Sequence, residues 1–395
     1  MASVMPGVVG QAPVDQVDGR ASSVMSVRAD NLTSQQPWES RTLTRTTPPR
    51  PIDVTAVLPE LAAHDRETTR LHPRPGAPGA AESSIGGPLL WPASEPWPTC
   101  SAPRMVQRSE PIAPALVIAL QQAQAKREAQ QGAGRGGRRS PEEFALLDQA
   151  SSRHGATFDL TDYTTQWYES EAHREPNPLV AVGQMHARDI PTVRFPSGTD
   201  LLQVLWCPTD HQDLPGQPRF YWGPSVHLVW RRASEVSSAP GSVPPQPRDT
   251  HDAYLPTSCV LHPEQVTEYQ YADLLPDALC ERLDAHDERW LEETGFSYQY
   301  DLSIAPGCKA GGWASWHLTD PAPVNCRCGA SMDLLLSFDS SEWDGGSKSW
   351  RPVEDSEANQ VGACGPTGLT PGRWGALRIF ICPIDPMHPH LLNIQ

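Results

Sequence analysis

The sequence contains one series of landmarks twice, in the same order. A Gly-Gly block rich in Trp, Pro and Cys occupies residues 85–100 and again residues 310–329. Each block is followed by an apolar segment, and then by a strand-like segment that ends in an apolar residue, Cys and Pro. The apolar segments are Leu179–Met185 and Met332–Phe338, and the two endings are Leu205–Pro208 and Phe380–Pro383. Matched landmarks in a shared order indicate an internal duplication, which predicts two similar lobes.

The duplication also predicts how the chain is organised. We expect a disordered extension over residues 1–50, where Ser, Thr, Pro, Gln and Gly leave too little apolar surface to offset the entropy of ordering. A first repeat lobe, a connector rich in Pro and Ser, and a second repeat lobe follow. The predicted bounds are 51–232 for the first lobe, which contains a helical insertion at 104–175, then 233–256 for the connector and 257–395 for the second lobe.

Composition and local pattern favour an α+β fold over an all-helical one. The 42 Pro and 29 Gly residues of this 395-residue chain imply many turns and short strands. Helices are predicted over residues 111–131, over a short segment after Ser140 and over Asp277–Glu293. The predicted strands are Leu179–Met185, Leu201–Trp206, Val226–Arg231 and Cys259–Tyr269, the last with a kink near Pro263. We therefore expect mostly antiparallel sheets with peripheral helices.

The charge of the chain restricts its partners. The formal net charge is −16, which disfavours nucleic acid, because binding to phosphates needs clustered Lys and Arg. Residues 251–300 carry eleven Asp or Glu against only Arg282 and Arg289, and many of these acids lie on the helix predicted at Asp277–Glu293. This region is either a solvated helix face or a docking surface for a basic protein partner.

Two further features bear on the compartment. No run approaches the roughly 18 apolar residues of a membrane span, and the first residues lack a basic start followed by an apolar core. We therefore expect a cytoplasmic protein with no membrane partner. In that compartment the nine cysteines are expected to be reduced or bound to metal, rather than paired in a disulfide framework.

Soft metal ligands gather in the second lobe. Cys326 and Cys328 form a short knuckle, and Cys382 follows the closing strand with His388 and His390 shortly after it. Cys and His are the ligands that tetrahedral zinc prefers, and the repeat brings the two halves to one end of a sheet. The sequence predicts a structural zinc site formed by Cys326, Cys328, Cys382 and either His388 or His390. The alternative is two reduced cysteines in a turn and one buried in a strand.

The first lobe contains a thinner version of this pattern, formed by Cys100, Cys207 and His211. Three ligands suit a catalytic metal with an open position, and they equally suit the remnant of a lost knuckle. A third hypothesis makes Cys207 a nucleophile, because Asp210 and His211 follow it closely and a thiolate needs a nearby base or positive charge.

Other motifs carry weaker hypotheses. Residues 132–137 match Gly-x-Gly-x-x-Gly, but they follow a predicted helix and lack a βαβ unit, so no nucleotide cofactor is expected. Trp222 and Trp343 lie near predicted turns, where an exposed indole can contact a sugar or a partner protein and a buried one can plug the end of a sheet.

The ordered landmarks resemble the YwqG-like family, a family of unknown function. The resemblance rests on the first Gly-Gly block, on Gln184, on the Asp189-Ile190-Pro191 turn, on the Leu-Trp-Cys-Pro ending and on the second Gly-Gly-Trp-Ala-Ser-Trp block, and it runs from about Ser84 to the last residue. Ser337 stands where that family usually has Gln. The resemblance implies a duplicated α+β fold and no established reaction, and the frequent position of relatives near toxin–immunity modules suggests a binding role.

Three functions follow as hypotheses from these observations. The first is a binding protein, immunity-like in character, that recognises a basic partner. The second is a metal-assisted or Cys-assisted hydrolase that acts on a small molecule between the lobes with Cys207 and His211. The third is a glycan-binding module that uses exposed Trp side chains.

Overall fold

The computed structural model describes residues 44–131, 138–151, 155–236, 244–316, 319–355 and 364–395. The helices are α1 (Val54–Val57), α2 (Pro114–Gln131), α3 (Pro141–Ala150), α4 (Asp277–Thr294) and α5 (Pro371–Trp374), and a π-helix covers Tyr298–Ser303. The strands are β1 (Asp65–Arg70), β2 (Arg74–Pro75), β3 (Ser84–Ile85), β4 (Thr99–Cys100), β5 (Arg104–Pro111), β6 (Thr157–Asp159), β7 (Thr164–Glu171), β8 (Asn177–Pro178), β9 (Val180–His186), β10 (Leu201–Trp206), β11 (His211–Gln212), β12 (Trp222–Gly223), β13 (Val226–Arg231), β14 (Cys259–Val260), β15 (Glu264–Tyr269), β16 (Lys309–Gly311), β17 (Asp333–Asp339), β18 (Ala376–Ile381) and β19 (Leu391–Ile394). All the strand pairs formed by these residues are antiparallel. The predicted α+β fold with mostly antiparallel sheets is confirmed.

Two six-stranded sheets dominate the fold. The first sheet has the order β13-β10-β9-β3-β14-β2, and the second sheet has the order β15-β1-β16-β17-β18-β19. The series β3, β9, β10, β13 in the first sheet is matched by β16, β17, β18, β19 in the second, and each series contains one register shift, at Val204/Leu205 and at Leu334/Leu336. This order is the one that a duplication produces. The duplication itself and the lobe bounds remain predictions.

Glycine is required at the turn after the first strand of each series. Gly86 has φ +64°, and a Cβ atom there would lie 2.6 Å from the carbonyl oxygen of Thr257. Gly312 has φ +73°, and a Cβ atom there would lie 2.3 Å from Oε2 of Glu268. At each of these two positions, both the left-handed backbone and the close approach exclude an L side chain.

The two sheets pack face to face across one apolar core. Val182, Val204 and Trp206 from the first sheet belong to the same buried cluster as Phe338 and Ile379 from the second sheet. The rings of Trp206 and Phe338 meet edge to face with centroids 5.4 Å apart, and the indole N–H of Trp206 donates to the carbonyl of Tyr254. Continuous apolar runs therefore mark the strands at the centre of the fold.

The two halves of the chain exchange strands between the sheets. Strand β1 precedes the first Gly-Gly block but lies in the second sheet, between β15 and β16. Strand β14 follows the connector but lies in the first sheet, beside β3. The short segments between β1 and β2 and between β14 and β15 cross from one sheet to the other, so each sheet contains strands from both halves.

The insertion is only partly helical. Helices α2 and α3 are present, and α3 begins with a capping box in which the Ser140 side chain accepts from the Glu143 amide while the Glu143 carboxylate accepts from the Ser140 amide. The prediction of a helix from residue 111 was wrong at its start, because residues 104–111 form β5, which pairs with β7. Strand β6 completes a three-stranded sheet beside the two helices.

The acidic segment forms a helix, as predicted. Helix α4 buries Leu279, Leu283 and Trp290 against α1, and it ends at Gly295, which is left-handed and donates to the Leu291 carbonyl. Among the helices that the structure describes, none is long and apolar enough to cross a bilayer.

Two predicted flexible regions extend into the described residues. Residues 1–43 of the predicted extension and residues 237–243 of the predicted connector lie outside the described ranges, as does the Gly-x-Gly-x-x-Gly segment. Within the extension, Thr47 donates to the Glu264 carboxylate and Arg50 to the carbonyls of Asp301 and Ser349, so residues 44–50 are held by long-range bonds.

Candidate metal centres

The four residues predicted for the second lobe lie together. In this second Cys/His cluster, formed by Cys326, Cys328, Cys382 and His388, all candidate ligand atoms lie within 4.8 Å of one another. The Cys326 sulfur is 3.4 Å from Nδ1 of His388, and the sulfurs of Cys328 and Cys382 are 3.5 Å apart. The geometry selects His388 over His390, which is not in the cluster.

Local backbone bonds position these ligands. Cys326 and Gly329 close the knuckle, since the Gly329 amide donates to the Cys326 carbonyl at 2.9 Å and the Cys326 amide donates to Ala330 at 2.9 Å. Cys382 directly follows β18, and the His388 amide donates to the Asp385 carbonyl in the turn that returns towards the knuckle. The chain therefore brings two turns to one end of the second sheet.

The three residues noted in the first lobe also lie together, and the structure adds a fourth. In this first Cys/His cluster, formed by Cys100, His173, Cys207 and His211, all candidate ligand atoms again lie within 4.8 Å of one another. The Cys100 sulfur is 3.9 Å from Nε2 of His211, and the Cys207 sulfur is 3.8 Å from Nε2 of His173. Sequence reasoning missed His173, which follows β7 in the insertion.

Both histidines of the first cluster are oriented by bonds on their outer nitrogens. His173 Nδ1 lies 2.7 Å from the Asp249 carboxylate, and His211 Nδ1 lies 2.7 Å from the Pro103 carbonyl oxygen. A donor role at Nδ1 leaves Nε2 of each ring as an acceptor that faces the sulfurs. Bonds of this kind, from the outer ring nitrogen to a carboxylate or carbonyl, are usual behind metal-bound histidines.

The separations agree with a tetrahedral ion. Zinc bonds of about 2.3 Å to sulfur and about 2.0–2.1 Å to nitrogen place two sulfurs roughly 3.8 Å apart, and a sulfur and a nitrogen roughly 3.5 Å apart. The four separations given above span 3.4–3.9 Å. Each cluster can therefore hold a metal ion with four protein ligands.

Thiol acidity differs within the clusters. A hydrogen bond from Cys207 lowers the pKa of Cys100 to about 7, and this same contact together with burial raises the pKa of Cys207 to about 12. Burial acts to raise the pKa of Cys382, but hydrogen bonds from the Asp385 amide and from His388 outweigh it and hold the value at about 6. Each cluster thus contains one cysteine that readily becomes the thiolate a metal requires.

The arrangement does not favour Cys207 as a nucleophile. The side chains of Cys207 and His211 are fully buried, and the raised pKa of Cys207 is the opposite of what a reactive thiol needs. Asp210 accepts a hydrogen bond from the Tyr254 hydroxyl rather than orienting His211.

The two tryptophans singled out from the sequence differ in exposure. Trp343 is only 8 % exposed because it is packed into the protein. Its suggested role as an exposed binding platform is therefore wrong. Trp222 is half-buried and meets Tyr168 edge to face at 5.0 Å. It lines what we call the aromatic groove, a surface cavity of about 910 Å³ whose walls include Tyr168, Phe220, Trp222, Tyr254 and Trp374.

No protein-family model and no curated protein sequence matches this chain. The resemblance to the YwqG-like family therefore remains a prediction.

Proposed function

We propose that this chain is a binding protein stabilised by two structural zinc ions, rather than an enzyme. The observation that carries the proposal is that each Cys/His cluster supplies four protein ligands, which leaves a tetrahedral ion no position for water or substrate. Two Cys with two His, and three Cys with one His, are ligand sets that bind zinc in preference to harder divalent ions.

Zinc in these positions would join segments that are distant in sequence. The first cluster connects β4, the loop after β7 and the end of β10, and so ties the insertion to the first sheet. The second cluster ties the knuckle to the end of β18. Because an unfolded chain has no preformed site, the free energy of metal binding adds to the free energy of folding.

The aromatic groove supports the binding role. Phe220 and Trp374 are 88 % and 78 % exposed, unusual values for large aromatic side chains on a free surface. Aromatic residues in such positions often supply much of the binding energy of protein interfaces. We propose that a protein partner docks in this groove.

The charge of the chain supports a basic partner. With a net charge of −16, the chain attracts basic proteins over long distances and repels acidic ones. The acids of α4 contribute to this field, since Asp277, Glu281, Asp284 and Glu288 are exposed. A reducing cytoplasm is the compartment we propose, because all nine cysteines lie among the described residues and each is a free thiol.

Metal analysis tests the zinc component. Protein purified without chelators is expected to contain two zinc ions per chain, and His173→Ala is expected to contain one. Cys280→Ala is the control, because Cys280 is half-buried on α4 and lies outside both clusters. Retention of two ions by His173→Ala, or absence of zinc from the unaltered protein, would contradict the proposal.

A capture experiment tests the binding component. The tagged protein is cross-linked mildly in its own host, and a basic protein released by salt is expected at near-stoichiometric yield. Phe220→Ala is expected to lose this protein, whereas Phe144→Ala, which removes an aromatic ring 51 % exposed on α3, is expected to keep it. Equal capture by both variants would reject the groove as the docking site.

A further inference from the structure

The outer face of the second sheet carries a row of polar side chains in register. Strand pairing places Glu264 opposite Arg70, Arg70 opposite Lys309, Lys309 opposite Ser337, Ser337 opposite Arg378, and Arg378 opposite Asn393. Residues directly opposite one another share a face of a sheet, so these six side chains form one line across all six strands. Arg70, Lys309 and Arg378 are each no more than 3 % exposed.

The matching row of the first sheet has amides at its centre. There Ser84 pairs with Gln184, and Gln184 pairs with Gln203. The Gln203 amide donates to Gln184 at 2.9 Å and to the Leu90 carbonyl at 2.8 Å, while the Gln184 amide donates to the Ala80 carbonyl at 2.8 Å. At the matched positions of the two strand series, the first sheet therefore has Gln203 where the second sheet has the buried cation Arg378.

All three buried cations have an acidic neighbour. Lys309 Nζ lies 2.5 Å from the Glu268 carboxylate, and Glu342 and Glu264 lie close enough to Arg70 to stabilise its charge. Arg378 differs. Among the described residues no carboxylate lies within 4.0 Å of its guanidinium, which donates only to the Ser315 carbonyl and to the Asn393 side chain and lies 4.6 Å from the Trp316 ring centre.

The hydrogen bonding of the buried Arg378 guanidinium is incomplete. Its side chain is 1 % exposed and its Nε atom has no hydrogen-bond partner in the part of the chain that the structure describes. Burial lowers the pKa of Arg378 to about 10. Buried charges in proteins are normally paired by direct contact, and Asp339 makes none with Arg378, so the guanidinium can still accept a carboxylate or similar group.

A cavity lies beside this guanidinium. It has a volume of about 330 Å³, at the small end of the range for small-molecule pockets, and its walls include Arg378, Asp339, Ser315, Tyr300 and Trp374. Asp339 lies two residues beyond Ser337 on the same face, and its carboxylate accepts from the amides of Gly307 and Ser341 at 3.3 and 3.1 Å. One cation and one carboxylate therefore face the same small space.

The rim of the cavity is aromatic and its backbone is strained. Trp374 is 78 % exposed, and its φ of +71° follows a φ of +57° at Arg373. Consecutive non-glycine residues in the left-handed region are rare and cost free energy, and such strain concentrates at functional sites. Tyr300, 45 % exposed, forms another part of the wall.

We propose that this cavity binds a free amino acid, with its carboxylate on Arg378, its ammonium group at Asp339, and its side chain against Tyr300 and Trp374. A phosphate or dicarboxylate fits less well, because the walls also contain the carboxylates of Asp339 and Asp344. A zwitterion compensates charge of both signs. The site goes beyond the proposed function and depends neither on zinc nor on Phe220.

Calorimetry on the full-length, zinc-loaded protein tests this site. Each common L-amino acid is titrated separately, and at least one is expected to bind saturably. Its decarboxylated amine and its N-acetyl derivative, which lack one charged group each, are expected to bind at least roughly tenfold more weakly. The proposal would be overturned if no amino acid gave saturable heat at millimolar concentration. It would also be overturned if both derivatives bound as tightly as the amino acid itself.

Variants link the binding to the cavity. Arg378→Met is expected to lose at least roughly tenfold in affinity while the zinc content and far-ultraviolet circular dichroism stay unchanged. Should that variant fail to fold, Trp374→Ala removes an exposed ring that this cavity shares with the aromatic groove, and it is expected to weaken amino-acid binding severalfold. Phe144→Ala serves as the control. Undiminished binding in Arg378→Met, or in Trp374→Ala where Arg378→Met does not fold, would refute the assignment.

Discussion

Replacing Glu268 by Gln tests the buried charges of the second sheet. Glu268 is 0 % exposed and its carboxylate accepts from Lys309 Nζ at 2.5 Å, from the Trp313 amide at 2.8 Å and from the Ala305 amide at 2.9 Å. The substitution keeps the size of the side chain but leaves the Lys309 ammonium, itself 3 % exposed, without the carboxylate that it contacts. Removal of one partner of a buried ion pair typically costs about 3–5 kcal/mol.

Urea unfolding at fixed zinc concentration measures this loss. We expect the free energy of unfolding to fall by about 3–5 kcal/mol in Glu268→Gln. Glu67→Gln is the matched control on the neighbouring strand β1, because Glu67 is exposed and bonds only the Thr267 hydroxyl, and its effect is expected to stay within about 0.5 kcal/mol.

A double variant separates the ion pair from packing. In Glu268→Gln with Lys309→Met neither charge of this pair is left, so the combined loss is expected to be smaller than the sum of the two single losses by about 1–3 kcal/mol. If Glu268→Gln is no more destabilising than Glu67→Gln, or if the two losses simply add, the reasoning about these buried charges is wrong.

Three further predictions follow from the same structure. Burial acts to raise the pKa of Glu342, but the hydrogen bond from His72 and the charges of His72 and Arg74 hold it at about 2, below its ordinary value near 4.5. The stability that this group contributes is therefore complete above about pH 5 and is lost as the pH falls towards 2. The free energy of unfolding of Glu342→Gln should fall less steeply over that range, and an acid profile like that of the unaltered protein would contradict this. Trp206→Ala removes a fully buried indole from between the sheets and should lower the free energy of unfolding, measured by urea titration, by about 3–5 kcal/mol. A loss below about 1 kcal/mol would show that the two sheets do not share this core. Hydrogen peroxide should release zinc from the second Cys/His cluster before the first, because Cys328 is exposed while Cys100 and Cys207 are buried. A zinc-sensitive dye should show one ion released early, both in the unaltered protein and in the control Cys280→Ala. Simultaneous release of both ions would argue against this order.

The central strands could be predicted from the sequence because burial on both faces leaves a continuous apolar signal. Leu201–Trp206 is buried at every position and agrees with the predicted bounds residue for residue. Val226–Arg231 also agrees, although this strand lies at the edge of the first sheet and is mostly only partly buried. Strand β5 could not be predicted in this way, since its residues are mostly polar and its partner β7 lies more than fifty residues later. Pairing over such a distance leaves no local pattern in the sequence.

The ligands of the candidate metal sites could also be predicted only in part from the sequence. Cys326, Cys328, Cys382 and His388 were recognisable because short Cys and Cys-Pro turns recur at matched points of the predicted repeat. His173 was not, because it lies in an insertion that the second half lacks, and its partner Asp249 lies in a segment that the sequence marks as a connector. The row from Glu264 to Asn393 was also hidden, since charged residues at alternate strand positions read as a solvated face until the covering segments are known.

The measurement that tests the central claim most directly is the X-ray absorption spectrum of the protein at the zinc edge, on material with a measured zinc content. Two Cys with two His in one cluster and three Cys with one His in the other predict two zinc ions per chain with an average shell of about 2.5 sulfurs near 2.3 Å and about 1.5 nitrogens near 2.0 Å. That result would support two closed structural sites. A shell dominated by nitrogen and oxygen, or a zinc content near zero, would contradict the account.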